Sequence, residues 1–173
     1  MFRRDFEKVV VPHLDAAFNF ARWLTKNDAD AEDVVQDAAI RAFRYFPSLR
    51  NEDARAWLLT IVRNTWYGRL AKAGVTQRVE VHDDMIDARE DGAPGPEALA
   101  LRQQTVERVR RAVEELPPDF REVIVLRELE GLSYKEIAAV AGVPVGTVMS
   151  RLSRARERLL AILTPAVADG GCA

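Results

Sequence analysis

Apolar residues along this chain recur at intervals of three and four, the period of helices, and only briefly at two. In "ARAWLLTIVRNTW" the positions Trp57, Leu58, Ile61 and Val62 fall at i, i+1, i+4 and i+5 and predict an amphipathic helix. Upstream, "NDADAEDVVQDAAIRAFRYF" predicts a helix capped by Asn27 or Asp28, with acids in the first turn that favour the positive end of its dipole. Pro47 ends it. An earlier helix, from about Leu14 to Leu24, carries Leu14, Phe18, Ala21 and Trp23 on its apolar side. In the second half, "LRQQTVERVRRAVEEL" sets Val106, Val109, Val113 and Leu116 on one face and stops at Pro117 and Pro118. The helix in "DFREVIVLREL" starts with Asp119 placed as N-cap and ends at Gly131. Two more follow, in "SYKEIAAVAG" and "PVGTVMSRLSRARERLLAIL". Alternation at period two is confined to "VTQRVEVH", too short and too close to a Gly-Pro cluster to count as a strand. The expected fold class is all-α, with two small helical bundles.

Composition places the break between the bundles. The 173 residues are 48% hydrophobic and 30% charged, a globular composition. The formal net charge of −2 is unevenly spread. Residues 1–73 carry 12 basic against 10 acidic side chains and residues 99–173 carry 11 against 10. Residues 74–98 carry 2 against 7 and include "DGAPGPEA", so this segment reads as a flexible acidic linker. The expected organisation is a first domain over 1–73, a linker over 74–98, a second domain over 99–167 and a tail over 168–173.

Several function classes drop out. No apolar run approaches the ~20 residues needed to span a bilayer, and "MFRRDFEKVVVPHL" lacks the apolar core of a secretory signal. Membrane insertion is not expected and the cytoplasm is the expected compartment. The single cysteine, Cys172, excludes a disulfide framework or a cysteine-rich zinc site within one chain and reads as a free thiol. There is no phosphate-binding Gly-rich loop, no metal-spaced histidine pair and no nucleophile elbow. His13 and His82 read as ordinary surface or packing residues. No cofactor, metal or enzymatic activity is expected.

"LSYKEIAAVAGVPVGTVMSRL" has the grammar of a helix-turn-helix. Ser133 and Glu136 form a capping box, Ile137 and Val140 face a core, and small Ala138 permits a close crossing. Gly142 supplies the turn, and Pro144 suits the start of the next helix. At about 100° per residue, Val148, Leu152, Ala155 and Leu159 gather on one side of that helix. Thr147, Ser150, Arg151, Arg154 and Arg158 gather on the other. Short polar residues let a backbone enter a DNA major groove while arginines reach guanine edges or phosphates. Val145 and Gly146, at the helix start, can present backbone N–H groups to a phosphate.

The first half carries a second exposed face. On the helix over about 31–45, Val34, Val35, Ala38, Ala42 and Tyr45 are expected on the core side. Asp33, Gln36, Asp37 and Arg44 lie opposite, with Ile40 among them and Phe43 at the margin. An apolar group set within a polar face suits protein binding as well as solvent.

Together "DAEDVVQDAAIRAF", "ARAWLLTIVRN" and "LPPDFREVIVLRELEGLSYKEIAAVAGVPVGTVMSRLSRARERL" resemble a bacterial sigma factor of the sigma-70 family, of the two-domain extracytoplasmic-function (ECF) type. The resemblance covers nearly the whole chain. It implies that Asp33, Gln36, Asp37 and Ile40 dock on the clamp of the largest subunit of core RNA polymerase. It implies that the loop from Ser48 to Asp53, with Arg50 and Asn51, receives a flipped base of the melted non-template strand at the promoter −10 element. Arg55, Ile61, Arg63 and Asn64 would lie near that strand. Trp57 sits on the apolar stripe and reads as core, whereas Trp66 is open to either packing or base stacking. Val145, Gly146, Thr147, Ser150, Arg151, Arg154 and Arg158 would meet the duplex −35 element. The resemblance further implies that the second domain grips the flap of the second-largest subunit and that the acidic linker threads the polymerase cleft. An anti-sigma factor would be the regulatory partner. Two other readings stand beside it: a stand-alone helix-turn-helix regulator of duplex DNA, and a sigma-like decoy that occupies an anti-sigma factor.

Overall fold

In the computed structural model, which describes residues 1–50, 53–74 and 97–164, the first half of the chain is a group of four helices. Helix α1 (Phe2–Val9) leads through a 3-10 turn at Val11–His13 into α2 (Leu14–Thr25). Lys26, in the left-handed region at φ 57°, stops α2 and reverses the chain. Asn27 then caps α3 (Asp28–Tyr45), its side-chain oxygen accepting from the Asp30 N–H at 3.1 Å. Pro47, within the 3-10 turn Phe46–Ser48, ends α3 as expected. Asp53 caps α4 (Ala54–Lys72) by accepting from the Arg55 N–H at 2.9 Å.

Helices α2, α3 and α4 enclose Ala17, Phe20, Ala21, Val34, Ala38, Ala42, Leu58, Leu59 and Val62, all but sealed from solvent. Phe20 and Leu59 were not on the expected stripes. Each apolar face is wider than a strict i, i+4 row because α2 and α4 both have neighbours on two sides. Tyr45 departs from expectation in the other direction: it sits in the last turn of α3, past the reach of α2 and α4, and is exposed. Trp57 and Trp66 are both half-buried against the core, Trp57 as expected.

The second group comprises α5 (Glu97–Glu114), α6 (Pro118–Ile124), α7 (Tyr134–Ala141) and α8 (Val145–Leu163). The N-cap position of α6 belongs to Pro117, not to Asp119, which lies within the first turn. Proline at the first helical position loses nothing by lacking an N–H, so the helix begins as early as the second proline allows. Helix α6 runs on into a π turn at Val125–Leu129, and Gly131 at φ 66° ends it. Only Ala112 and Val113, near the end of α5, are buried, with Leu116 just beyond; Val106 is 65% exposed and Val109 is open. The expected four-residue apolar face therefore meets the core only at its C-terminal end, where α6 and α8 cover it.

The turn between α7 and α8 obeys local rules closely. The Glu136 N–H donates to Ser133 Oγ at 3.1 Å, and the Ser133 N–H donates to Glu136 Oε1 at 3.0 Å, completing the capping box. Gly142 takes the left-handed cap at φ 67°. Pro144 holds the N-cap position of α8, one residue before the helix proper. Val148, Leu152 and Ala155 are buried and Leu159 is half-buried, the stripe expected for α8.

The two groups pack directly on each other. Helix α4 touches α2 and α3 on one side and α7 on another, and α2 also meets α6. One apolar cluster runs through both groups, from Val10 to Ala155.

Phe20→Ala is expected to lower unfolding free energy by about 3–5 kcal/mol, the usual loss for a buried aromatic. Val106→Ala, on the open part of α5, should stay within about 0.5 kcal/mol of the parent. Urea melts followed by circular dichroism separate the two. Ser133→Ala removes the cap oxygen of α7 and should cost about 1 kcal/mol in the same melts.

Candidate nucleic-acid and protein interfaces

The outer face of α8 is built by the helix-turn-helix. Because Val148, Leu152 and Ala155 must face α6 and α7, Ser150, Arg154 and Arg158 are turned outward and exposed. Ser150 Oγ donates to the Thr147 carbonyl at 3.0 Å, and Thr147 is half-buried. Val145 and Gly146 are exposed at the head of the helix, and no atom crowds the Gly146 Cα. The three arginines differ in their surroundings. Arg154 makes no ion pair among the described residues. Arg158 stacks its guanidinium 5.3 Å from the centre of the Phe120 ring. Arg151 is only 22% exposed, its Nη2 lying 3.6 Å from Asp119 Oδ2. The seven predicted residues thus share one helix, but Arg151 is drawn back toward α6.

On α3, Asp33, Gln36, Asp37 and Ile40 fall at i, i+3, i+4 and i+7 and form one face. Asp33 and Gln36 are exposed, and Ile40 is 61% exposed. Asp37 is anchored within its own domain: Arg69 Nη2 lies 3.0 Å from its Oδ2. The apolar margin next to Ile40 is partly occupied. Phe2 and Phe6 of α1 meet Phe43 and Phe46 edge-on, with ring centroids 5.1 to 5.5 Å apart. That packing covers part of Phe43 and leaves Ile40 as the most exposed apolar side chain of the face.

The third set, expected at a melted strand, is dispersed. Ser48 and Arg50 are exposed at the end of α3, where Ser48 Oγ donates to the Tyr45 carbonyl at 2.6 Å. Asn51 lies outside the described residues, as do His82, Cys172 and nearly all of the linker. Asn64 is exposed on α4, Ile61 and Arg55 are half-buried, and Arg63 is only 18% exposed. The Arg63 Nε donates to Glu122 Oε1 of α6, across the junction between the two helical groups.

Sequence reasoning did not single out Glu122. Its side chain is 0% exposed and its second oxygen finds no donor among the described residues. Burial raises its carboxyl above the ordinary value; the charge and hydrogen bond of Arg63 oppose that shift, Asp119 adds to it slightly and Arg151 opposes it slightly. Tyr67 lies beside the same pair, with the Arg63 guanidinium 4.6 Å above its ring. Burial first, and the Glu122 charge second, push the Tyr67 phenol up to about 12.

Arg121 also crosses the junction. Its Nη1 donates to the Trp23 carbonyl at 3.5 Å, while Nη2 donates to the carbonyls of Leu116 at 2.8 Å and Glu114 at 3.2 Å. Burial lowers its guanidinium below the ordinary value. At the rim, burial raises the Glu130 carboxyl and Arg55 opposes this. Burial would also raise Asp53, yet hydrogen bonds with Glu136 and the backbone of Arg55 and Ala56, together with the Arg55 charge, leave it lowered. A signal for Glu122 existed in the sequence, since it lies one turn before Val125 and Leu126 on the buried side of its helix. Nothing local named Arg63 as its partner.

Comparison with known proteins gives this arrangement a family. Residues 9–76 match the family described as Sigma-70 region 2, and residues 106–159 match Sigma-70, region 4. The ECF RNA polymerase sigma factor SigE of Mycolicibacterium smegmatis is 34% identical over 155 residues, 90% of this chain and 60% of that protein. The ECF RNA polymerase sigma-E factor of Escherichia coli K12 is 43% identical over 139 residues, 75% of this chain and 72% of that protein. Among solved structures, the sigma factor RpoE from Bartonella quintana, in complex with the anti-sigma factor NepR, aligns with a TM-score of 0.74. That match has 32% identity and covers 92% of this chain and 97% of that one. CnrH, solved with the cytosolic domain of CnrY, aligns with a TM-score of 0.65 at 29% identity, over 93% of this chain and 88% of that one. Among the described residues, no helix is long and apolar enough to cross a membrane. With both sigma regions present in order on two helical domains, the chain belongs to the ECF type of the sigma-70 family of RNA polymerase sigma factors.

Proposed function

We propose that this protein is a dissociable promoter-specificity subunit acting in the cytoplasm. It docks on core RNA polymerase through α3 and brings α8 to a −35 element and α4 to a −10 element. The observation that carries this reading is the presence on one chain of two separate exposed faces of different chemistry. One is the Asp33, Gln36 and Ile40 face of α3, acidic with an apolar centre. The other is the hydroxyl and arginine face of α8. A regulator that binds DNA alone has use for the second face only.

The roles divide by chemistry. Arg154, exposed and without an ion pair among the described residues, is the arginine best placed to reach a base edge, with Ser150 and Thr147 letting the helix approach. Gly146 and Val145 offer N–H groups to a phosphate at the helix head. Arg158, stacked on Phe120, suits a backbone phosphate. On the melted strand, Ser48 and Arg50 border the loop that would receive a flipped base, while Asn64, Ile61, Arg55 and Arg63 line the helix beside it. The family likeness to a sigma factor solved with an anti-sigma factor supports regulation by such a partner. The reaction chemistry of transcription stays with the polymerase, to which this subunit adds recognition and strand opening.

A gel shift with a candidate promoter tests the reading, comparing this protein, core polymerase and the two combined. A salt-resistant complex that requires both, with permanganate-reactive thymines, is the expected result. A tight shift by the protein alone contradicts it. Arg154→Ala should lower promoter occupancy about ten-fold or more, the loss of one base-edge contact. Polymerase binding, read by co-purification, should be unchanged. Asp33→Ala with Gln36→Ala should do the reverse: co-purification with core polymerase falls, while thermal unfolding stays within a degree or two of the parent because both side chains are exposed.

A further inference from the structure

The aromatic contact between α1 and the end of α3 has an inner and an outer half. Phe6 and Phe46 are half-buried and pack against the core. Phe2 meets Phe43 at 5.2 Å and Phe46 at 5.4 Å, both edge-on. Even so, Phe2 stays 41% exposed and Phe43 43% exposed. Helix α1 buries no residue of its own, so its place depends on these rings and on the sealed Val10 that follows it. Aromatic rings held in place and left partly in water are the anchors that protein interfaces favour, because little freedom is lost when a partner covers them.

The outer pair continues a face already proposed to bind protein. Ile40, 61% exposed, stands three residues before Phe43 and is its neighbour on the surface of α3. Asp33, Gln36, Asp37, Ile40, Phe43 and Arg44 fall at i, i+3, i+4, i+7, i+10 and i+11. They form one stripe, about 16 Å long at the rise of a helix. Charge changes sign along it. The N-terminal end is acidic, whereas Arg44 at the C-terminal end is exposed and makes no ion pair among the described residues.

We infer that the polymerase-docking face does not end on α3: Phe2 of α1 and Phe43 form its second apolar anchor, and Arg44 forms its basic end. This rests on the assignment of α3 to core polymerase and adds a second helix and a polarity to that contact. The occupant is a surface of core polymerase that brings a cation to Asp33 and a carboxylate to Arg44. Between them it brings apolar side chains to Ile40 and to the paired rings of Phe2 and Phe43. Opposite charges at the two ends fix the direction in which that surface lies along α3, since the reversed alignment sets like charges together.

The test measures the affinity of the full chain for core polymerase, by competition with parent protein labelled at its single cysteine, Cys172. Phe2→Ala should bind about ten-fold more weakly, the loss of one interface anchor. Arg44→Glu should weaken binding by a similar factor, and Arg44→Lys, which keeps the charge, should stay within about two-fold of the parent. Tyr45→Ala removes an exposed ring on another side of α3 and should match the parent. At saturating concentration the Phe2→Ala holoenzyme should occupy a promoter as the parent does, which a general loosening of the first domain would not allow. Parental affinity for Phe2→Ala overturns the inference. Should Phe2→Ala lose helicity or melt early, Arg44→Glu decides in its place, and parental affinity there overturns the inference too. If Asp33→Ala with Gln36→Ala weakens binding while Phe2→Ala and Arg44→Glu do not, the docking of α3 stands and the extension onto α1 falls. Unchanged affinity in all of these variants removes the docking reading as well.

Discussion

Helix α4 is packed on two sides, and the rest of the arrangement follows from that constraint. Leu58, Leu59, Val62 and Thr65 are buried, sealing the first domain against α2 and α3, while Arg63 and Tyr67 turn toward α6 and α7 of the second. A helix with only one neighbour could keep its arginines in water. Here the second neighbour partly dehydrates Arg63, and a carboxylate together with the Tyr67 ring compensates. Glu122 supplies the carboxylate. Burial pushes Glu122 toward the neutral form and Arg63 pulls it back, so the two side chains are intelligible only as a pair.

The two junctions of this protein differ in kind. Within each domain the buried contacts are almost wholly apolar, and the same apolar cluster continues from one domain into the other. Between the domains, charged groups sit among apolar ones, and some polar atoms lack partners among the described residues.

The exposed faces of α3 and α8 show how function is placed by the core. Neither needs a pocket. On α8, burying Val148, Leu152 and Ala155 leaves Ser150 and Arg154 nowhere to point but outward. On α3, burying Val34, Ala38 and Ala42 does the same for Asp33, Gln36 and Ile40. The aromatic contact of Phe2 and Phe6 with Phe43 and Phe46 then trims the apolar area of that face. What remains most open is Ile40, set among polar side chains with the partly covered Phe43 at its margin, a surface suited to a partner that brings an apolar contact and a positive rim.

Features governed by neighbours close in sequence were legible from the residues alone. The capping box of Ser133 and Glu136, the left-handed Gly142, the Asn27 cap and the outward arginines of α8 all depend on spacings of a few residues and on helix geometry. So did the all-α class and the two-part layout. The full width of the apolar faces was not legible, because it depends on how many neighbours a helix acquires. Phe20 and Leu59 are buried and Val106 and Val109 are open for that reason. The position of Asp119 and the exposure of Tyr45 likewise depended on where a helix begins and where its neighbours end. Arg63 and Glu122 stand 59 residues apart with a linker between them. The sequence by itself determined which side chains each helix must turn inward and outward, since periodicity acts locally. Only the tertiary structure decided which outward charges meet, because that depends on the docking of two separately folded surfaces, for which no local spacing rule exists.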